Sequence, residues 1–257
     1  MNTLLVLAIV LFILMVMVGG RKGARSFISL FLNFVVLLFT VFLMNDPHIN
    51  PIILTVIACT VVSSINLFFI NSVNSKTITA FLSTLATIII LLFFIFILTK
   101  KAMIQGFGEE EIEELSVFSL HIGVDFIKVG AAVVIMSTIG AITDVAISIT
   151  SPMQEIFNHH PHIDRKDLFT SGMRIGRDIL GTNTNTLYFA FIGGYLGLLI
   201  WFKDLSYSFG QIINSKVFSA EILTIFCAGI GIALIIPIAA WMNAYYLVRM
   251  REKSQNR

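Results

Sequence analysis

Seven stretches of this sequence are long and apolar enough to cross a lipid bilayer as helices. A transmembrane helix needs about 20 mostly apolar residues. The predicted spans lie at about 3–20, 26–44, 51–70, 77–98, 122–150, 186–202 and 221–245. The sequence therefore predicts an all-α fold: a single integral membrane domain over residues 1–257, built as a polytopic transmembrane helix bundle of about seven spans.

The composition agrees with this class of protein. Apolar residues make up 57% of the chain and charged residues 12%, whereas soluble domains average about 45–50% and about 25%. Too few polar side chains remain to cover a water-soluble globule. This excludes a soluble enzyme, a nucleic-acid binder of the basic-patch kind and a disordered tail. We expect the lipid bilayer as a partner and no nucleic acid.

The basic residues predict how the spans are oriented. Cytoplasmic loops of membrane proteins are enriched in Lys and Arg. With the N-terminus outside and the C-terminus inside, 12 Lys and Arg fall on inner segments and four on outer ones. The inner segments then include a partly apolar, amphipathic loop at 151–185, so an eight-span or re-entrant arrangement stays open. An acidic segment at 105–117 lies outside.

Span five carries charges, unlike a typical transmembrane helix. It contains Asp125, Lys128 and Asp144. A charge at mid-bilayer costs about 2.5–3.5 kcal/mol on insertion scales, so such residues are functional candidates. Two simpler interpretations stay open. Asp125 and Asp144 are separated by about 28 Å of helix and can mark the two membrane faces, and Asp125 can pair locally with Lys128.

The polar residues around Asp144 share one helical face. They recur at steps of three, four or seven: Gly130, Ser137, Gly140, Asp144, Ser148 and Ser151. In lipid, a stripe of small polar residues either packs closely against another helix or lines a wet pathway. The sequence leaves both alternatives open.

The inner loop carries signals for two further helices. Ser151 and Pro152 predict the start of a short interfacial helix at about 152–157. Asp164 can cap a second, amphipathic helix that ends at Gly181 as its C-cap. Its basic side is also what an interfacial helix on the inner leaflet would show. Within it, Arg174 and Asp178 are spaced to pair.

Five consecutive hydrogen-bonding residues, 182–186, precede span six. Thr and Asn side chains compete for backbone hydrogen bonds, so we expect a loop or a helix break here. Irregular backbone at membrane depth occurs inside protein or around water. Its oxygens could bind a cation, and the N-terminus of span six an anion. The alternative is an ordinary helix cap among lipid headgroups.

Other chemistry has weak support. The histidines His159, His160 and His162 lie close together without a cysteine, and such clusters on loops are usually solvated, so we expect no metal site. The motifs of P-loop ATPases, α/β-hydrolases and zinc proteases are absent from the sequence. We therefore expect no cofactor and no enzyme activity. An intramembrane enzyme would need Asp144 and Asp178 close in space.

Two segments carry a family resemblance. Gly140-Ala-Ile-Thr-Asp144-Val-Ala-Ile-Ser148, together with Ser171-Gly-Met-Arg-Ile-Gly-Arg-Asp178-Ile-Leu-Gly-Thr-Asn-Thr-Asn-Thr186-Leu, resembles the YibE/YibF family of bacterial polytopic membrane proteins. The chain is similar to the short, YibF-type members. The resemblance implies a multi-pass protein of the bacterial cytoplasmic (cell) membrane. It also implies a hetero-oligomer with a longer YibE-type relative, or a homo-oligomer.

The resemblance also points to particular residues. The family signature falls on Asp144, Ser148, Ser171, Gly172, Gly176, Arg177, Asp178, Gly181, Thr182, Asn185 and Thr186. The family more often has Met where this chain has Asn183. Permease-like roles are the usual interpretation of such proteins.

The leading hypothesis is a transporter or permease subunit for a small solute or ion, driven by an ion gradient. Asp144 would bind or couple the ion, with Ser148 beside it. Arg177 and Asp178 would form a gating ion pair or hold an anion, while Thr182, Asn185 and Thr186 supply oxygens and donors. Asp125 and Lys128 are secondary candidates. The alternative function is a non-transporting membrane scaffold or assembly subunit.

Overall fold

The computed structural model describes residues 3–102 and 125–255. These residues form helices, with no strand among them. The elements are α1 (Thr3–Met44), α2 (Pro51–Ser64), a π-helical turn (Ile65–Phe69), α3 (Ser75–Ala102), α4 (Phe126–His159), α5 (Arg165–Gly194), α6 (Leu196–Asp204), α7 (Phe209–Asn214) and α8 (Lys216–Gln255). The all-α class is therefore confirmed.

Five of these helices are long and apolar enough to cross a membrane: α1, α2 with its π-helical turn, α3, α4 and α8. The pair α5 and α6, bent by 47°, would make a sixth. The count of seven spans and the N-out orientation stay predictions. The acidic segment 105–117 and the predicted start of span five at 122–124 lie outside the described residues.

Helix α1 is a hairpin rather than one straight rod. Gly20 has φ 55° and ψ −133°, a conformation that only glycine adopts easily. The ring centroids of Phe12 and Phe27 lie 5.0 Å apart, whereas 15 residues of straight helix would separate them by about 22 Å. Gly23 approaches the carbonyl of Met15 so closely that a Cβ would not fit. The chain thus folds back where the sequence separates spans one and two.

Helix α4 lies at the centre of the bundle. It packs against α2, α3, α5 and α8, and it buries the larger part of its surface. An added Cβ on Gly231 of α8 would lie 3.0 Å from both Ile142 of α4 and Leu91 of α3. The absence of that Cβ lets three helices meet closely at one point, as small residues do in membrane bundles.

The predicted helix start at Ser151 is wrong, because α4 continues through Pro152 to His159. Ile149 and Met153, on either side of this turn, are fully buried. Packing against the core therefore holds the helix across the proline. The Ser148 carbonyl loses its helical hydrogen bond, because Pro152 has no N–H to donate to it.

Helix α5 also corrects a prediction. Asp164 is its N-cap, as expected, but the helix passes Gly181 and residues 182–186 and ends only at Gly194. The predicted C-cap at Gly181 and the predicted break at 182–186 are therefore wrong, and the bounds of span six stay a prediction. The side chains expected to disrupt the helix instead donate back to carbonyls three or four residues earlier, as Thr184 does to Leu180 at 2.8 Å. This pattern satisfies them within the helix.

The amphipathic character of α5 is confirmed, although its apolar face meets protein. Leu168, Gly172 and Gly176 are buried. A Cβ on Gly172 would lie 2.5 Å from Met153 Sδ and 2.9 Å from Ala240 Cβ, so α5 packs at close range against α4 and α8. Gly172 and Gly176, two of the glycines in the segment that carries the resemblance, therefore have a packing role.

Candidate functional site

The polar stripe of α4 faces outward from the chain. Ser137, Asp144 and Ser148 are exposed, and an added Cβ on Gly140 would meet nothing within 4 Å. The opposite side of α4 is buried. Of the two alternatives for this stripe, close packing against another helix is thus not realised within the described part of the chain.

The stripe lies between α2 and α5. Neighbours of α4 follow one another around it in the order α2, α3, α8 and α5, since α3 packs against both α2 and α8, and α8 packs against α5. The side of α4 that these four helices leave open carries Asp144. A carboxylate therefore stands on an open face of the central membrane helix.

Contacts between helices place Asp144 level with Gly181 of α5. Met153, Gly172 and Ala240 meet at one level. Asp144 and Gly181 each lie nine residues from that level, about 14 Å towards the same end of the bundle, because α4 and α5 are antiparallel. A second pair of contacts agrees. A Cβ on Gly229 of α8 would lie 3.6 Å from Thr184 of α5, and two residues further along α8, about 3 Å away, Gly231 meets Ile142 of α4. Thr184 and Ile142 therefore lie at similar depths.

The predicted residues of α5 therefore share a depth with Asp144. They are all exposed and lie within about one and a half turns of Gly181: Arg177, Asp178, Thr182, Asn185 and Thr186. The structure thus places these five residues at about the same depth as Asp144. The predicted Arg174–Asp178 ion pair is not formed, and where both ends lie within residues 3–102 and 125–255 the one salt bridge joins Lys128 to Asp125.

The hydroxyl groups near this level have lone pairs to offer. Thr182 donates to the Ile179 carbonyl at 3.1 Å, and Thr186 donates to the Thr182 carbonyl at 2.8 Å. A hydroxyl that has given its proton to the backbone can act towards a ligand only as an acceptor. On α4, the Ser148 carbonyl is released from the helix ladder by Pro152. This chemistry suits a cation.

Asp125 and Lys128 belong to a different place. Asp125 is the N-cap of α4, and its Oδ2 lies 3.1 Å from Lys128 Nζ, so the predicted local pair is confirmed. The hydrogen bond with Lys128 lowers the pKa of Asp125 below its ordinary value. Both residues line a cavity of about 200 Å³ with Asp46 and His48. About 24 Å of helix separates Lys128 from Asp144.

One buried polar cluster was missed by the sequence interpretation. Asn243 of α8 accepts a hydrogen bond from Thr79 of α3 at 2.9 Å and donates one to the Thr150 carbonyl of α4 at 3.2 Å. Nearby, Lys76 Nζ donates to Ser151 Oγ at 3.1 Å. The signal was a single amide within the apolar span 221–245, because a buried amide needs partners.

The π-helical turn was also missed. Within the turn, Asn66 Oδ1 accepts a hydrogen bond from Asn33 Nδ2 of α1 at 2.7 Å. Each of these asparagines interrupts an apolar run, which is the signal that could have found the pair. Their bond ties the α1 hairpin to the bundle.

The histidine cluster lies on the surface. His159, His160 and His162 are exposed at the α4–α5 connection. Within the described ranges, no three His, Cys, Asp or Glu side chains are grouped so that they could hold a metal ion.

Long apolar helices around a central, partly polar one define a polytopic α-helical membrane protein. Comparison with known protein families matches residues 7–249 to the YibE/F-like protein family. The match covers nearly the whole chain, and the chain belongs to this family. Comparisons with curated proteins and with solved structures gave no match.

Proposed function

We propose that this protein is a transport subunit for a small solute or ion, driven by an ion gradient. The observation that carries the proposal is the exposed Asp144 on the open face of α4. An ionisable residue inside a membrane segment is costly and marks an ion or substrate pathway by default. Asp144 also lies level with the exposed hydroxyl and amide residues of α5.

Asp144 would bind the coupling ion. The Ser148 hydroxyl and the released Ser148 carbonyl add oxygen ligands on the same helix, and Thr182 and Thr186 offer acceptors from α5. Carboxylate, carbonyl and hydroxyl oxygens are ligands for hard cations. Asn185 supplies an amide, while Arg177 and Asp178 control access to the site or hold an anion.

A carboxylate suits coupling because ion binding changes its charge. An empty Asp144 carries a negative charge that opposes burial in hydrocarbon, whereas a protonated or cation-bound Asp144 is neutral. Binding therefore lowers the cost of moving this part of α4 away from water. An ion gradient can then drive a conformational change without ATP.

Flux through reconstituted protein tests the proposal. Liposomes would enclose a pH-sensitive dye, with a membrane potential set by valinomycin and a K⁺ gradient, and a parallel series would measure ²²Na⁺ uptake. We expect flux of H⁺ or Na⁺ that falls at least tenfold in Asp144→Asn. The matched control is Asp204→Asn, an exposed carboxylate of α6 outside the site. Wild-type rates in a folded Asp144→Asn variant would exclude the assigned role.

A scaffold or assembly role is the second candidate. The observation in its favour is the same open stripe, because Ser137, Gly140 and Ser148 are small enough for another helix to approach. This function predicts no flux from the chain alone or with its partner, together with a stable complex. Copurification of a partner without any ion or solute flux would favour it over transport.

A further inference from the structure

We propose that Asp144 pairs, within the membrane, with Arg177 of a second copy of this chain. This deepens the proposed function, on which it rests for the role of Asp144, by naming the residue that holds the carboxylate when no ion is bound. The second copy would thereby contribute a residue to the site.

Neither charge has a partner among the residues that the structure describes. Asp144 and Arg177 are both exposed, and neither forms an ion pair with any residue that the structure describes. An intramembrane charge of this kind pairs with another charge or faces a wet cavity. The Asp144 carboxylate and the Arg177 guanidinium can therefore neutralise each other.

The levels of the two residues fit an arrangement of two parallel copies. Membrane insertion gives both copies the same orientation, so a two-fold axis must lie along the membrane normal and every residue keeps its depth. Asp144 of one copy then meets α5 of the other at Gly181. Arg177 lies four residues away, about 6 Å along the helix, which is within the reach of an arginine side chain.

The surfaces permit close approach at that level. Gly181 is exposed, and an added Cβ there would meet nothing within 4 Å. On the opposing α4, Gly140 is equally open. Small residues let helix backbones come together in lipid. The carboxylate would lie between the Arg177 guanidinium and, one turn further, the Asn185 amide, so donors stand on both sides of it.

Charge complementarity favours a second copy over another occupant. Because the chain carries both the carboxylate and the guanidinium on open faces, one symmetric interface pairs two Asp144 and two Arg177 side chains. Arginine suits this position because its planar fork binds a carboxylate through two hydrogen bonds. A proton or cation arriving at Asp144 would compete with the guanidinium and release it.

Subunit counting in lipid tests the pairing. Fluorescently labelled full-length protein in phosphatidylethanolamine–phosphatidylglycerol vesicles would be scored by photobleaching steps as protein is diluted in lipid. We expect two-step traces for wild type. Asp144→Arg and Arg177→Asp should each weaken the dimer at least tenfold, and the double exchange should restore it. Arg174→Asp, one turn from Arg177 on the exposed side, is the matched control.

Cysteine cross-linking keeps the test decisive if a charge reversal fails to fold. Differently tagged copies carrying Ser137→Cys and Tyr188→Cys would be co-expressed and oxidised; both positions are exposed, share a level two turns from Asp144 and Gly181, and leave Asp144 and Arg177 in place. We expect a disulfide between the two tags, and none when Gly193→Cys replaces Tyr188→Cys. Single-step traces for wild type, or a dimer indifferent to Arg177→Asp, would overturn the pairing, as would cross-links formed only with a different protein.

The outcome is separable from that of the proposed function. A restored dimer in a protein that moves no ion would overturn the transport role and leave the pairing intact. Flux from protein that counts as a single subunit would do the opposite.

Discussion

Thr79 donates its hydroxyl proton to Oδ1 of Asn243 across the α3–α8 interface, at 2.9 Å and with both residues buried. The amide group of Asn243 then reaches the Thr150 carbonyl of α4. One side chain thus connects three helices. Buried polar groups in membrane proteins fix helix positions when each finds its partner.

Asn243→Ala should lower the free energy of unfolding by about 1–2 kcal/mol, because it removes the two hydrogen bonds that Asn243 makes to other helices and creates a small cavity. The measurement is unfolding of bilayer- or micelle-embedded protein by titration with SDS. Asn214→Ala removes an exposed amide that bonds only within its own helix, and it should change stability by less than half as much. Equal effects of both substitutions would argue against the three-helix connection.

Gly176→Ala should destabilise the protein by about 1–3 kcal/mol, the usual cost of overpacking a core. Its Cβ would collide with Ile236 of α8. Gly193→Ala is the control on the same helix, where a Cβ meets nothing within 4 Å. That change should be neutral or slightly stabilising, because Ala favours helix over Gly. Thermal unfolding in detergent compares the two variants, and a neutral Gly176→Ala would contradict the close packing.

Gly20→Ala should open the α1 hairpin, since an L-residue at this backbone conformation costs about 1–3 kcal/mol. The measurement is disulfide formation between Phe12→Cys and Phe27→Cys, whose parent rings lie 5.0 Å apart. We expect efficient cross-linking in the parent and strongly reduced cross-linking with Gly20→Ala. Gly19→Ala, which meets no neighbour and lies in ordinary helix, should cross-link like the parent.

The start of α4 should depend on pH. The hydrogen bond with Lys128 lowers the pKa of Asp125, so the charged carboxylate stabilises the helix start. This stabilisation is complete above the ordinary pKa of 3.8 and is lost as pH falls through the lowered value in the folded state. Hydrogen exchange at residues 127–129, corrected for intrinsic rates, should show faster opening below that range. Asp125→Asn should remove this pH dependence. If the variant keeps the same pH dependence of hydrogen exchange as the wild type, the Asp125 carboxylate is not its cause.

Much of the fold follows from apolar runs alone. The bounds of α3 and α8 contain spans four and seven, and α2 with its π-helical turn covers span three to within one residue. About 20 apolar residues in lipid have few alternatives to a helix. Gly20 was placed correctly at the end of span one. The amphipathic pattern between Leu168 and Leu180 likewise predicted which face of α5 is buried, since 3.6-residue periodicity fixes the face.

The errors arose where local signals met tertiary packing. Ser151 and Pro152 have the features of a helix start, yet buried neighbours on both sides keep α4 continuous. Thr184 and its polar neighbours favour a break in isolation, whereas inside a packed helix they bond to the preceding turn. The depth shared by Asp144 and Gly181 depends on contacts among three helices, which no single sequence shows.

The cross-helix hydrogen bonds of Lys76, Asn243 and Arg251 all lie at one end of the bundle and hold that end more firmly than the other. Arg251 donates to the carbonyls of Pro161 and Ile163 at 2.7 and 3.0 Å, at the same end where Lys76 and Asn243 bind α4. These directional bonds hold that end, whereas Asp144 lies about 14 Å along α4 from the level at which Met153 meets Gly172. Displacement caused by tilting of α5 against α4 should therefore grow with distance from the hydrogen-bonded end. Small rotations at the hydrogen-bonded end would then produce larger displacements at the Asp144 carboxylate.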